Sequence, residues 1–255
     1  MRIFKVLILL VVLLCVVAGV FVWTMPAELA WRWGGHRFAP VVLSGVRGSV
    51  WDGHADGVSV FGRDLGELSW TIAKGPLLRG RVAADIRIKG ADVEAAGLVT
   101  RLPDRSIDLR DVRFRFAAQL AAPALDIPAL NLLGTFNGVL NQARIAEGRL
   151  QGANGAGRWS DAGVSGHAEA RFSDILVDFS SKPDGGIGGV VRDDGQGNLA
   201  VEGMFDVGSD RFGAEARLAA RNDDVRVQEA LRYVGQAQPD GSSHLVVQGR
   251  LFPLL

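Results

Sequence analysis

The chain predicts a mainly β fold: a single N-terminal transmembrane helix followed by a curved, mostly antiparallel β-sheet region with one short helix. Three observations predict it. An almost unbroken apolar run covers Val6 to Met25. Several later stretches alternate apolar and polar residues with the period of two that a half-buried strand requires. The 33 glycines are spread along the rest of the chain instead of gathering in a linker. Glycine costs a helix roughly 1 kcal/mol per site relative to alanine, so this dispersal favours strands joined by turns.

At a rise of about 1.5 Å per residue, a helix over 6–25 is about 30 Å long, the thickness of a bilayer's hydrocarbon core. Arg2 and Lys5 precede the run, and a positive flank stays in the cytoplasm, which sends everything after Met25 across the membrane. Residues 1–5 therefore read as a cytoplasmic tail, 6–25 as the anchor and 26–255 as a periplasmic, β-rich region. Trp23, Trp31 and Trp33 stand where indole rings favour the headgroup layer. The rival reading is a cleaved secretory signal, whose core spans about 7–15 residues and ends at a small-x-small site. Here the run is longer, and Ala18 and Gly19 lie inside it. Cys15 follows Leu14 where a lipoprotein site needs a small residue, and as the only cysteine it forms no internal disulfide.

The strands follow. Val82, Ala84, Ile86 and Ile88 face one way, Ala83, Asp85, Arg87 and Lys89 the other, and Gly90 closes the run. Val112, Phe114 and Phe116 alternate with Arg113 and Arg115, while Ile107 and Leu109 have the opposite parity, so a bulge or break is expected near Asp111. Residues 121–133, with Pro123 and Pro128, read as an extended connection and a candidate divide between two sheet portions. Phe172 is followed by Ile175, Val177 and Phe179 with another parity change. Leu199, Val201, Phe205 and Val207, then Ala214, Ala216 and Leu218, complete the strand pattern. Asp184-Gly185, Asp194-Gly195 and Asp240-Gly241 suit the positive φ angles of tight hairpins. The one helical segment past the anchor places Val227, Leu231 and Val234 on a single face, with Gly235 as its stop.

Charge and chemistry narrow the function classes. With 28 basic and 28 acidic residues, the chain has no net electrostatic footprint for nucleic acid. His36, His54, His167 and His244 show no metal-ligand spacing. His167-Ala168-Glu169 lacks the downstream cysteine pair of a zinc deaminase. Gly57 to Asp64 has phosphate-loop glycine spacing, but Arg63 and Asp64 occupy the places of its Lys and Ser/Thr. Gly152, Gly155 and Gly157 read as a turn, not a dinucleotide loop, and Ser59 lacks the second glycine of a nucleophile elbow. The acidic pairs Asp193/Asp194 and Asp223/Asp224 lie beside turn residues and read as solvated turns. No catalytic, cofactor-binding or metal-binding residue is assigned, and no cofactor is expected.

One stretch is distinctive as a whole: Leu43-Ser44-Gly45-Val46-Arg47-Gly48-Ser49-Val50-Trp51-Asp52-Gly53-His54-Ala55, then Leu65-Gly66-Glu67-Leu68-Ser69-Trp70 and Pro76-Leu77-Leu78-Arg79-Gly80. It resembles protein N of the bacterial type II secretion system. Leu133-Gly134, Gly157-Arg158-Trp159 and the closing run from Ala230 through Asp240-Gly241 to Leu251 are similar too. Physically, the leading motif is a tight hairpin in which Gly45 and Gly48 allow close turns and Gly53 leaves room beside a tryptophan. Trp51 and Trp70 are expected to be core anchors, each burying around 200 Å² of ring. Trp159, in a similar glycine-rich setting, hints at a repeated sheet unit.

The resemblance implies a non-enzymatic inner-membrane accessory that supports assembly or stability of the machinery exporting folded periplasmic proteins. Its expected partners are other type II secretion components and the inner membrane, with no nucleic acid. The alternative is an anchored periplasmic carrier of lipid or another hydrophobic ligand, because a long sheet covered by few helices must bury its apolar face by curling, closing or docking.

Overall fold

The computed structural model describes residues 24–121, 130–183, 185–208 and 210–250. Residues 6–23 of the expected membrane segment lie outside the described residues, among which no helix is long and apolar enough to cross a membrane. The described chain opens with helix α1 (Ala27–Gly34), which the sequence reading does not anticipate. Pro26 starts it with an extended backbone and bridges to Ser49, while the Met25 carbonyl accepts from the Val50 N–H at 3.0 Å. Only Ala27 of this helix is buried, so its sequence carries no core-facing stripe to betray it.

Sixteen strands follow, joined in one sheet. The first group is β1 (Val41–Ser44), β2 (Arg47–Gly48), β3 (Asp52–Val60), β4 (Arg63–Ala73), β5 (Val82–Lys89), β6 (Val93–Arg101) and β7 (Ile107–Ala117). Two long strands, β8 (Leu130–Ala146) and β9 (Arg149–Gly166), occupy the middle. Beyond them lie β10 (Ala170–Arg171), β11 (Ile175–Ser181), β12 (Ile187–Asp193), β13 (Leu199–Val207) and β14 (Arg211–Ala220). Helix α2 (Val225–Leu231) then precedes β15 (Gln236–Ala237) and β16 (Ser243–Arg250). The order is β1-β3-β4-β5-β6-β7-β8-β9-β11-β12-β13-β14-β16-β15, with β2 paired to β3 and β10 to β9. The pairings are antiparallel, and the two outer edges do not meet.

The alternation reading holds where it was strongest. In β5 Ala84, Ile86 and Ile88 are half-buried and Asp85, Arg87 and Lys89 exposed, while Val82 at the strand's start is exposed as well. The expected bulge sits at Asp111, whose φ is 51° and where the β6–β7 register shifts between Ala96 and Leu98. Residues 122–129 of the expected connection lie outside the described residues. Leu130 to Leu133 belong to β8, which is hydrogen-bonded to β7 from Ile107↔Ile145 to Ala117↔Thr135.

Turn chemistry joins the meander by two devices. β3–β4 and β8–β9 are closed by Phe61-Gly62 and Glu147-Gly148, both residues of each pair having positive φ, the conformation that follows the twist of a two-residue hairpin. Three other hairpins share a longer loop: Leu102-Pro103-Asp104-Arg105-Ser106, residues 182–186, and Gln238-Pro239-Asp240-Gly241-Ser242. In each, the first residue donates to the fifth residue's carbonyl and accepts from the fourth residue's N–H. That fourth position is left-handed in all three, at Arg105, Gly185 and Gly241, as in a type I turn closed by a glycine bulge. Asp240-Gly241 thus serves a three-residue loop instead of the two-residue turn it suggests, and Gly185 holds the position equivalent to Gly241.

Buried side chains gather toward one part of the sheet. Leu130, Leu132, Val164, Ile175, Leu199, Val201 and Leu218 meet Val227, Ala230 and Leu231 of α2 in the main cluster. Asp224 caps α2 by accepting from the Arg226 and Val227 N–H groups at 2.9 and 3.1 Å, a contribution of about 1 kcal/mol. The helix ends at Leu231, earlier than its periodicity suggests, and Val234 packs on the cluster from the turn before Gly235. Ala143, Ala153 and Ile187 form a second, smaller cluster.

Candidate functional site in the two faces of the sheet

Residues directly opposite one another in an antiparallel pair share a face, so the register can be followed strand by strand. From Ala55 the row passes through Leu68, Ile88, Ala95, Phe114, Gly138, Gly157, Val177, Val191, Gly203 and Ala216 to Leu245. Every member is apolar or glycine. The adjacent row has the same character: Trp70, Ile86, Val112, Leu140, Phe179, Phe205 and Val247 are interleaved with Gly53, Gly97, Gly155 and Gly189. One face of the sheet is therefore apolar across its whole width.

The glycines on this face are paired with rings. A Cβ on Gly138 would lie 2.3 Å from Phe114 Cζ, one on Gly189 2.3 Å from Phe205, one on Gly155 2.6 Å from Phe179, and one on Gly53 2.6 Å from Trp70. Each large side chain lies across a neighbouring strand where that strand has none. Gly152, Gly155 and Gly157, expected to mark a turn, sit inside β9, where Gly155 lies beneath Phe179 and Gly152 beside Ser181. A ladder of rings crosses the same face, with Phe116–Phe136 and Phe136–Trp159 centroids each 5.2 Å apart.

Over β4 to β7 the apolar row is half-buried, neither packed into a core cluster nor fully open to water. Trp70 is part of that lining: half-buried, it rests over Gly53 and donates its indole N–H to the Val50 carbonyl at 3.0 Å. Trp51 is likewise half-buried, with the Lys74 ammonium 5.5 Å from its ring centre. Neither is a core anchor: both are half-buried, and the clusters of buried side chains among the described residues lie elsewhere in the sheet. Trp159 does pack on the main cluster and donates to the Leu133 carbonyl at 2.7 Å. Trp70 and Trp159 thus share one device, an indole bonded to a carbonyl in the preceding segment.

The opposite face is charged over β4–β7 and mixed beyond, where Val139, Val190, Met204 and Val246 stand exposed between polar residues. One of its rows reads Glu67, Lys89, Glu94, Arg115, alternating in sign between neighbouring strands. Here an open depression of about 740 Å³ is lined by those residues with His54, Arg87 and Arg113. Exposed pairs such as Arg192–Asp178 at 3.1 Å and Arg158–Asp174 at 2.9 Å continue the mixture, each worth about 0–1 kcal/mol.

The residues weighed for chemistry do not converge. His54 lies on the charged face, His167 beside Tyr233, and His244 pairs with Glu215 at 2.7 Å. Among the described residues no group of three or more His, Cys, Asp or Glu could hold a metal ion. Ser59 is a strand residue, and Gly57 to Asp64 form the β3–β4 hairpin.

Asp194 and Asp224 organise local backbone as turn residues do: Asp194 accepts from Ser173 Oγ and from the Gln196 N–H. Asp193 departs from the solvated-turn expectation, its side chain being 8% exposed. It accepts from the Val201 and Gly195 N–H groups, both at 2.8 Å, and from Arg221 at 2.6 Å. Burial pushes its pKa up, but these donors outweigh burial and hold it below the usual carboxylate range.

The model of the type II secretion system protein N family matches residues 39–246 of this chain. The chain belongs to that family. It is 29% identical over 148 residues to the type II secretion system protein N of Vibrio cholerae serotype O1, a match covering 54% of this chain and 56% of that one. The chain thus spans about half the length of the curated relative it matches. No solved structure matches it. The Leu43–Ala55 motif, Trp70 and the Trp159 segment all fall inside the family match.

Proposed function

We propose that this protein is a non-enzymatic, inner-membrane-anchored accessory of the type II secretion machinery, supporting assembly or stability of the complex that exports folded periplasmic proteins. The observation that carries the reading is the family match across 39–246. Residues 6–25 anchor the chain, residues 1–5 stay in the cytoplasm, and 26–255 work in the periplasm against other secretion components. The aspartates engaged in turns and in capping α2 support a structural role for them. The alternating charges over β4–β7 support protein contacts over nucleic acid, which favours a surface of one sign.

Deletion of the gene tests this. Loss of enzymes from the culture medium, with their folded forms retained in the periplasm and restored by the full-length gene, is the expected result. Unchanged secretion, with no crosslink to any secretion component, refutes the proposal.

A second reading, a carrier of lipid or another hydrophobic ligand, is favoured by one observation: the half-sheltered apolar lining of β4–β7. Full-length protein purified from its membrane is then expected to yield stoichiometric lipid on solvent extraction, and a Leu68→Glu, Ile88→Glu variant to lose it. Equal lipid recovery from the two proteins removes this reading.

A further inference from the structure

The two outer edges of the sheet are finished differently. At the N-terminal edge β1 is short and follows Pro40, the turn Gly35–Phe38 packs on it, and α1 packs on β2. Beneath that edge Ala55 and Val58 are 1% and 3% exposed. These are the devices that blunt an edge against further pairing. At the other end β15 covers only Ser243 and His244, and Gly235 packs against His244 and Leu245. From Val246 to Arg250, β16 is bonded to β14 on one side, while its other side meets no strand among the described residues. That stretch has no proline, lysine or bulge, and Val246 is 50% exposed.

The free segment Val246-Val247-Gln248-Gly249-Arg250 is complementary to itself. Laid antiparallel on a second copy about a two-fold axis at Gln248, it sets Val247 opposite Gly249 on the apolar face, and by symmetry Gly249 opposite Val247. This repeats the rule seen inside the sheet, where Val177 faces Gly157 and Val191 faces Gly203. On the other face Gln248 faces itself, a pairing without like charges. An axis one residue further along in either direction forfeits this: centred on Gly249 it pairs glycine with glycine, and centred on Val247 it collides with β15 through Leu245 and Gly235.

We propose that β16 is a homodimerisation edge: two copies of this chain pair Val246–Arg250 antiparallel about Gln248, joining their apolar faces into one continuous surface. The pairing requires only the sheet and its edge, so it stands apart from the secretion and carrier readings.

The test uses the full chain in intact cells with its one cysteine removed (Cys15→Ser) and Gln248→Cys introduced. Opposite residues in antiparallel strands have Cα atoms about 4.5–5.5 Å apart, within the about 4.4–6.8 Å that a disulfide spans. Under a zero-length oxidant the Gln248→Cys chain is expected to shift to twice its 27.2 kDa mass, reversibly with reductant, whereas Val42→Cys on the blunted edge does not shift. Charge exchange gives a second measurement. Differently tagged Gln248→Lys copies, like Gln248→Glu copies, lose co-purification with one another, and a Lys–Glu mixture regains it. A Gln248→Cys product with a protein of another mass, or none at all, overturns the proposal, as does Lys–Glu co-purification no greater than Lys–Lys.

Discussion

The glycines beneath rings make a quantitative prediction at Gly138. Adding one methyl by Gly138→Ala places a Cβ 2.3 Å from Phe114 Cζ and 2.9 Å from the Ala156 carbonyl oxygen, where ordinary contacts begin at 3.4 Å. The ring must retreat by roughly 1 Å, yet Phe116 stacks on it with centroids 6.0 Å apart. Turning the ring off its rotamer costs about 0.5–1.5 kcal/mol, and overpacking of this kind costs about 1–3 kcal/mol in all. The reduced freedom of the unfolded chain offsets about 0.4–1 kcal/mol. The net expectation is a loss of about 1–2 kcal/mol, or about 2–8 °C in Tm at about 2–4 °C per kcal/mol for a chain of this size.

Gly213 supplies the internal comparison. It lies in β14 with no heavy atom within 4 Å of its Cβ position and without a positive φ, so Gly213→Ala should raise stability by about 0.4–1 kcal/mol. Thermal unfolding of the purified full chain in detergent, followed by tryptophan fluorescence, reads both. In a Phe114→Leu background the Gly138→Ala penalty should shrink by about 1 kcal/mol, because the two sites share one contact. Parallel shifts of the Gly138→Ala and Gly213→Ala variants, or an undiminished penalty beside Leu at 114, would refute the reasoning.

Three further outcomes follow from the fold. Arg105 holds the left-handed position that Gly185 and Gly241 fill in the sister loops, so Arg105→Gly should stabilise by about 0.5 kcal/mol in urea unfolding, the left-handed penalty of about 1–2 kcal/mol being partly offset by glycine's entropy. Asp193→Asn should cost about 2 kcal/mol at neutral pH, as for a lost charged hydrogen bond. Because the folded Asp193 pKa is lowered, its contribution is present above the ordinary carboxylate range and lost as pH falls through the folded value. The gap between variant and parent should therefore close below about pH 4 in a urea titration series. Leu231→Ala, 7% exposed in the main cluster, should cost about 2–4 kcal/mol, with faster hydrogen exchange in α2 as the local readout.

Much of this architecture was legible because a strand with one apolar face writes its parity into the chain. Val82 to Ile88 and the switch at Asp111 could be placed without coordinates for that reason, and Val227 with Leu231 marked α2 by its own period. What stayed hidden depended on neighbours far away in sequence. Gly138 and Gly155 look like breakers in a linear reading, and only the register reveals Phe114 and Phe179 lying across them. Phe61-Gly62 and Glu147-Gly148 lack the Asn or Asp that signals a two-residue turn, so tertiary pairing decides there. Asp193 looks solvated until Arg221, from the end of the next hairpin, closes over it. The two faces of the sheet were implied by the alternation, but the contrast between its two edges among the described residues belongs to topology alone.

The transverse rows carry a consequence for how such proteins change length. Strands β3–β9, β11–β14 and β16 each contribute one residue to the row from Ala55 to Leu245, so inserting or deleting a whole hairpin lengthens or shortens that row without changing its character. Adding or removing strands in pairs therefore keeps the apolar face intact. The natural sites for such additions are the hairpin joints, where a Pro-Asp loop can be duplicated with its two flanking strands and leave every remaining pairing in register.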